Sequence, residues 1–333
     1  LSQLRWHPLQ EEWVAVASHR QVRPISLGKA KAGVKQPSCP FCPGGAEGLN
    51  APYEFAVFEN KFPSFNRNSD APSLGKPGDL YRAGPGRGIC EVVLYSPRHD
   101  STLAEESREN IGKLVEVWRD RYIELGKLPF IKYVYEFENK GAVIGVTLQH
   151  PHGQIYAFPY IPPRVKSELD AERRYMAKHR RCLLCDMARR EKSSGARVVE
   201  LTDKFIAYVP YFARYPYEIH ISSRRHVGSL AGMTRAERWD LSGILKTVLM
   251  KYDSLFGFSF PYIMLMHQEP TDGRKYPHHH FHIEFFPPHR SADKIKYLAG
   301  CEAGAGTFIN DTIPEEKAAE LRRCRPSTVR LER

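Results

Sequence analysis

The segment His150-Pro-His152-Gly-Gln154-Ile-Tyr156 sets polar side chains at every second position. In a strand, residues 150, 152, 154 and 156 point to one side. A neutral imidazole is a good nucleophile toward phosphorus near neutral pH. A carboxamide beside it donates to a phosphoryl oxygen without acting as an acid or base. Pro151 and Gly153 keep the intervening positions small, so a ligand or another backbone can come close. His152 and Gln154 are therefore the candidate catalytic pair; the other reading is a strand of metal ligands only. Asn139, Gly145 and Thr147, just upstream, suit contacts to phosphate, although Asn139-Lys140-Gly141 is also an ordinary hairpin sequence.

A second kind of chemistry comes from the cysteines at 39, 42, 90, 182, 185, 301 and 324. Their odd number in a long chain argues against a secreted disulfide framework. Four of them form two Cys-x-x-Cys pairs, which points to metal in a reducing compartment. Cys39, Cys42, His99 and His150 would make a closed tetrahedral zinc site. Cys182, Cys185, His226 and His280 repeat the set in the second half. The competing readings are buried thiols beside unrelated histidines and, for the second pair, core cysteines of a helix. On a strand from His278 to Phe286, residues His278, His280, His282 and Glu284 share a face. His282 and Glu284 then stand where His152 and Gln154 stand in the first half. Glu168 and His267 could join them in a further metal site of mixed nitrogen and oxygen ligands. The alternative is a solvated histidine cluster.

These residues recur in a fixed order. Cys-x-x-Cys is followed by Ser-x-x-His, a capping box, a helix, a strand and a His-x-His strand. The spacings are 57 (Cys42 to His99) and 51 (His99 to His150), against 41 (Cys185 to His226) and 54 (His226 to His280). Two copies of one unit are expected, over 1–165 and 166–333. Thr102-x-x-Glu105 and Thr234-x-x-Glu237 predict the helix starts. Ile111, Leu114, Val115, Trp118, Tyr122 and Leu125 fall on one helical face. Leu241, Ile244, Leu245, Val248, Tyr252 and Leu255 do the same. Strands are expected at 13–18, 54–59, 91–96, 130–137, 155–158, 205–209, 218–221, 263–267 and 279–286. The fold class is α+β, with an antiparallel-rich sheet flanked by helices. Residues 63–88 read as a long surface loop. Residues 162–181 read as a charged, helix-prone link between the halves.

The 333 residues match two domains at about 150 residues each. Hydrophobic residues at 42% and charged residues at 26% exclude a disordered or collagen-like chain. No run of 18 apolar residues suits a membrane-spanning helix. Leu1 to Val16 lacks the pattern of a signal peptide, so a cytoplasmic location is expected. The net charge of +11 favours anionic partners. No block of five or six like charges forms a nucleic-acid arm, so phosphorylated metabolites fit better.

The His-Pro-His-Gly-Gln motif, the upstream Phe-Glu-Asn-Lys-Gly, the Cys-x-x-Cys and the duplication together resemble the galactose-1-phosphate uridylyltransferase family of the histidine-triad superfamily. The likeness runs from Trp6-His7-Pro8 to Arg290-Ser291-Ala292. It implies two histidine-triad-like units built on half-barrel sheets, commonly in a homodimer. It implies a two-step transfer of UMP from UDP-glucose to galactose 1-phosphate through a uridylyl-histidine. His152 would be the nucleophile and Gln154 the stabiliser of the phosphoryl oxygens. Arg20 and Arg23 match residues near the phosphates, Asn60 a uridine-side residue, and Asn139, Gly145 and Thr147 the phosphate loop. Lys296 and Glu302 match a segment that reaches the sugar. Zinc is implied at the first Cys-His set, and iron or zinc at Glu168, His267, His282 and Glu284, although Glu284 replaces a histidine. Cys301 and Phe308 depart from a tyrosine and a glutamine, which leaves the hexose open. An adenylyl-sugar phosphorylase on the same scaffold is the nearest alternative. A zinc-stabilised nucleic-acid-binding protein is the alternative from another class.

Overall fold

The computed structural model describes residues 2–7, 12–17, 39–50, 53–69 and 80–325, so Arg20 and Arg23 lie outside the described residues. The first half contains β1 (Ser2–His7), β2 (Glu12–Ala17), β3 (Ala56–Glu59), β4 (Ala83–Pro85), β5 (Ile89–Leu94), α1 (Arg108–Gly126), β6 (Tyr133–Lys140) and β7 (His152–Phe158). Two helices, α2 (Pro163–His179) and α3 (Leu183–Ser194), lead into the second half. There follow β8 (Val198–Leu201), β9 (Phe205–Tyr208), β10 (Ile219–Ser223), α4 (Arg235–Phe256), β11 (Tyr262–His267), β12 (His282–Phe286), α5 (Gly300–Ala305) and α6 (Pro314–Arg323).

Nine strands form one sheet in the order β3-β5-β7-β6-β11-β12-β10-β9-β8, and every neighbouring pair is antiparallel. The order shows the duplication directly. The run β5-β7-β6 in the first half corresponds to β10-β12-β11 in the second. The halves meet where β6 pairs with β11, with Lys140 opposite Tyr262 and Phe137 opposite Leu265. A separate three-stranded sheet, β2-β1-β4, accompanies it. α1 and α4 pack on each other, and their apolar faces close over one side of the large sheet. Trp118 and Leu114 of α1 and Leu241 and Leu245 of α4 are buried with Val134, Ile155, Ile221 and Ile283 of the strands. Each such side chain contributes about 1.5–3 kcal/mol when removed from water. The opposite side of the sheet carries the His-x-Gln and His-x-Glu residues among smaller apolar clusters, such as Val92 and Leu94 with Phe41, and Ile206 and Tyr208 with Ala188.

The structure corrects several element boundaries. Thr102 and Glu105 lie in a turn before α1; the cap is Ser107, whose Oγ accepts from the Asn110 N–H at 3.0 Å. The second capping box is present: Thr234 Oγ1 accepts from Glu237 N, and the Glu237 carboxylate accepts from Thr234 N. The strand expected at 130–137 starts at Tyr133 and runs on to Lys140, because pairing with β11 extends it beyond the apolar run. The strand expected at 279–286 begins only at His282, so His278 and His280 precede it. The stretch read as a surface loop contributes β4 to the small sheet and buries Phe65 against Tyr156 and Phe158.

Candidate active site

β7 carries the His-x-Gln face. Its residues alternate: Gly153, Ile155 and Ala157 are buried toward the helices, while His152, Gln154, Tyr156 and Phe158 are half-buried on the other side. Gln154 lies across from Val92 of β5 and Phe137 of β6; His152 lies across from Leu94. Gly153 is required by packing, since a Cβ there would fall 2.0 Å from the Tyr95 hydroxyl. The His152 Nδ1 lies 2.8 Å from the carbonyl oxygen of His150. A carbonyl only accepts, so Nδ1 carries the proton and Nε2 holds the lone pair. Phe41 meets the ring edge-to-face, with centroids 5.1 Å apart.

A cavity of about 170 Å³ opens over this face. His152, Gln154, Asn139, Gly145 and Thr147 all line it, as the sequence suggested. Tyr156, expected on the same face, lines it too; Phe137, Ile144, Val146 and Leu148 complete the wall, and these the sequence reading did not single out. The loop reaches over the cavity through a single 3-10 turn, Ala142–Ile144, ended by Gly145 at φ +86°. That left-handed conformation favours glycine. Asn60 does not line the cavity; its side-chain oxygen accepts from the Phe62 N–H at 2.9 Å. Lys296 and Glu302 pair with each other at 2.9 Å in the second half and also stay out of this wall. Lys296 further donates to the Ile309 carbonyl.

Two clusters of thiols and imidazoles match each other closely. Cys39, Cys42, His99 and His150 bring one ligand atom each within 4.8 Å of the others, and so do Cys182, Cys185, His226 and His280. Cys42 Sγ is 3.5 Å from His99 Nδ1 and 3.7 Å from His150 Nδ1. Cys185 Sγ is 3.2 Å from His280 Nδ1 and 3.8 Å from His226 Nδ1. An edge of about 3.5 Å is what a tetrahedral ion with bonds of about 2.3 Å to sulfur and about 2.0 Å to nitrogen requires. The far nitrogens are fixed alike: His150 Nε2 donates to the Ser96 carbonyl and His280 Nε2 to the Ser223 carbonyl, each at 2.8 Å. Such outer bonds orient ligating histidines. Burial, with the neighbouring thiol Cys39, pushes the Cys42 thiol up. Bonding between the second pair lifts Cys182 to about 12 and lowers Cys185.

The third cluster is tied into a wider network. Glu168, His267 and His282 each bring a potential ligand atom within 4.8 Å of the others. Glu284 reaches the same two histidines, 3.5 Å from His267 Nε2 and 4.0 Å from His282 Nε2. It also pairs with Arg164 at 2.7 Å and His220 at 3.3 Å, with Arg214 at 3.5 Å. Register explains the His220 contact, because His220 of β10 lies directly opposite Glu284 of β12. Glu218 in turn holds His220 at 2.8 Å. Burial pushes His267 down, but Glu168 and Glu284 outweigh it and raise it to about 10. Burial, then the neighbouring His267, lowers His282 to about 3. His282 Nδ1 donates to the His280 carbonyl at 3.0 Å, repeating the His152 arrangement in a fully closed setting. His278 takes no part in this cluster, whereas His279, unnoticed in the sequence, is buried against Glu172 at 3.0 Å.

Two family models match, the N-terminal domain of galactose-1-phosphate uridyl transferase over residues 1–162 and its C-terminal domain over 168–331. A galactose-1-phosphate uridylyltransferase of Thermotoga maritima is 40% identical, over 97% of this chain and 98% of that protein. A solved uridylyltransferase is 34% identical, covers 97% of this chain and 98% of its own, and superposes with a TM-score of 0.85. An ADP-glucose phosphorylase of Arabidopsis thaliana, solved with ADP-glucose, is 25% identical over 97% of this chain and 99% of its own, with a TM-score of 0.72. With both domain models matched along nearly its whole length, the chain belongs to the galactose-1-phosphate uridyl transferase family.

Proposed function

We propose that the protein moves UMP from UDP-glucose to galactose 1-phosphate through a uridylyl-histidine on His152. The observation that carries this reading is the bond from His152 Nδ1 to the His150 carbonyl, which reserves Nε2 for attack. Nε2 attacks the α-phosphorus, and the bond from that phosphorus to the oxygen of glucose 1-phosphate breaks. The leaving oxygen belongs to a phosphate, so no strong general acid is needed. The ring becomes cationic, and the His150 carbonyl continues to accept its Nδ1 proton. Gln154 donates its amide to a non-bridging oxygen throughout. Galactose 1-phosphate then attacks the same phosphorus, and His152 returns neutral. Asn139, Gly145 and Thr147 line the same cavity and are assigned to phosphate contacts. Lys296 and Glu302, outside this wall, are assigned to the sugar end, with Asn60 on the uridine side.

Zinc is assigned to both Cys2His2 clusters, whose four-ligand geometry supplies stability. Iron or zinc is assigned to Glu168, His267 and His282, with Glu284 beside both histidines. The use of thiols as ligands supports a reducing compartment such as the cytoplasm. Among the described residues no helix is long and apolar enough to cross a membrane. A homodimer is expected, to be checked by sedimentation.

The test is intact mass after brief mixing with UDP-glucose or ADP-glucose, on wild type and His152→Gly. A uridylyl adduct on wild type alone is expected. An adenylyl adduct instead would move the chain to the phosphorylase reading. No adduct with either sugar nucleotide would overturn the two-step chemistry.

A further inference from the structure

A second, larger cavity lies in the other half of the molecule, and the chemistry above makes no use of it. Its volume is about 720 Å³, within the range of small-ligand sites. It is bounded by α3, the turn between β8 and β9, the segment after β10 and the start of α4. Five cations line it: Arg189, Lys192, Lys204, Arg224 and Arg225. Two carboxylates, Asp203 and Glu237, oppose them, which leaves three positive charges in excess.

The partners of these groups separate structure from surplus. Arg225 is spent on Glu237, bonded to both oxygens at 2.6 and 2.8 Å. Arg189 pairs with Asp186. Arg224 uses Nη1 to tie down the Thr202 and Asp203 carbonyls at 3.0 and 2.7 Å. The same turn is anchored from α4, where Asp240 accepts from the Lys204 N–H at 2.9 Å. Lys192 and Lys204 have no side-chain partner among the described residues, yet both stand on anchored backbone. Leu201 and the buried Ile206 and Ala188 give the cavity an apolar floor. A cationic rim over an apolar floor suits a ligand with a ring and several phosphates.

From this geometry we infer that the cavity bounded by α3, the β8–β9 turn and the start of α4 is a second binding site, for a nucleoside di- or triphosphate. It shares no lining residue with the His152 cavity, although Cys185 of the second thiol–imidazole cluster stands in its wall. Lys192 and Lys204 supply the phosphate charge, and the exposed Leu201 takes the base. The site stands independently of the transfer reaction.

Calorimetric titration with ADP and with inorganic tripolyphosphate, at about 50 mM salt to limit screening, tests it on three proteins. These are wild type, Lys192→Glu/Lys204→Glu, and the control Arg274→Glu/Lys275→Glu, which removes the same charge elsewhere. The expected result is binding of both probes to wild type and control, with ADP the tighter. The Lys192/Lys204 variant should lose that class of site, by about tenfold or more in affinity. Its melting temperature and its turnover of UDP-glucose should match wild type. Equal affinity in all three proteins, equal loss in both variants, or no uptake below about 1 mM would overturn the inference. So would uptake of a single-stranded oligonucleotide without uptake of ADP. A failure of turnover in wild type would count against the transfer reaction and leave this result untouched.

Discussion

At the scale of single residues, two positions that touch no substrate make firm predictions. Gly153 faces the Tyr95 hydroxyl, so Gly153→Ala forces Tyr95 or the strand to move. We expect a loss of about 1–3 kcal/mol in urea denaturation. Glu136 is fully buried, and burial lifts it to about 8 despite the bond from Gln268 at 2.9 Å. Between its ordinary value of 4.5 and about 8, the folded state therefore holds a proton that the unfolded chain has released. This group's stabilisation is complete below pH 4.5 and is lost as the pH rises through 8. Glu136→Gln mimics the protonated form and should be more stable than the parent at pH 8, with the difference vanishing near pH 4. Denaturation curves at the two pH values check this. The catalytic candidates were legible because they sit two apart on one strand, where period alone puts them on one face. His220 and Arg164 were not legible, because the register of β10 against β12 brings the first to Glu284 and the docking of α2 brings the second.

Secondary-structure elements show the same division between local and distant causes. α4 starts where its capping box says, since Thr234 and Glu237 satisfy each other within one turn. Thr234→Ala should cost about 1 kcal/mol and lower the melting temperature by about 2 °C, read by calorimetry. α1 is capped five residues beyond Thr102, because Ser107 offers a competing cap. Asn139 and Lys140 read locally as a turn, yet both belong to β6. Pairing with β11 and the 3.0 Å bond from Lys140 to Asp253 of α4 hold them in the sheet. Short strands such as β4 and β8 left little trace in the sequence, as three or four residues barely define a period. Both Cys-x-x-Cys pairs were legible because each needs only one turn of chain.

Across the whole molecule, the duplication was the most readable property, since two sets of ligands recur in one order. It also yields a prediction. Cys39→Ser and Cys182→Ser should each remove about one equivalent of zinc and lower the melting temperature. His152→Gly should retain both metals. Elemental analysis with calorimetry separates these outcomes, and full metal content in either cysteine variant would contradict the assignment. The union of the halves was not legible, because it rests on β6 beside β11, two edges far apart in the chain. That seam has a consequence for how the protein is made. Lys140 leaves the ribosome 122 residues before its partner Tyr262 (262 − 140). At synthesis rates of about 5–20 residues per second, the nascent chain carries an open sheet edge for roughly 6–24 s. Open edges recruit other chains. The period of greatest hazard for this protein therefore falls during its own translation, before the second half exists to cover the first.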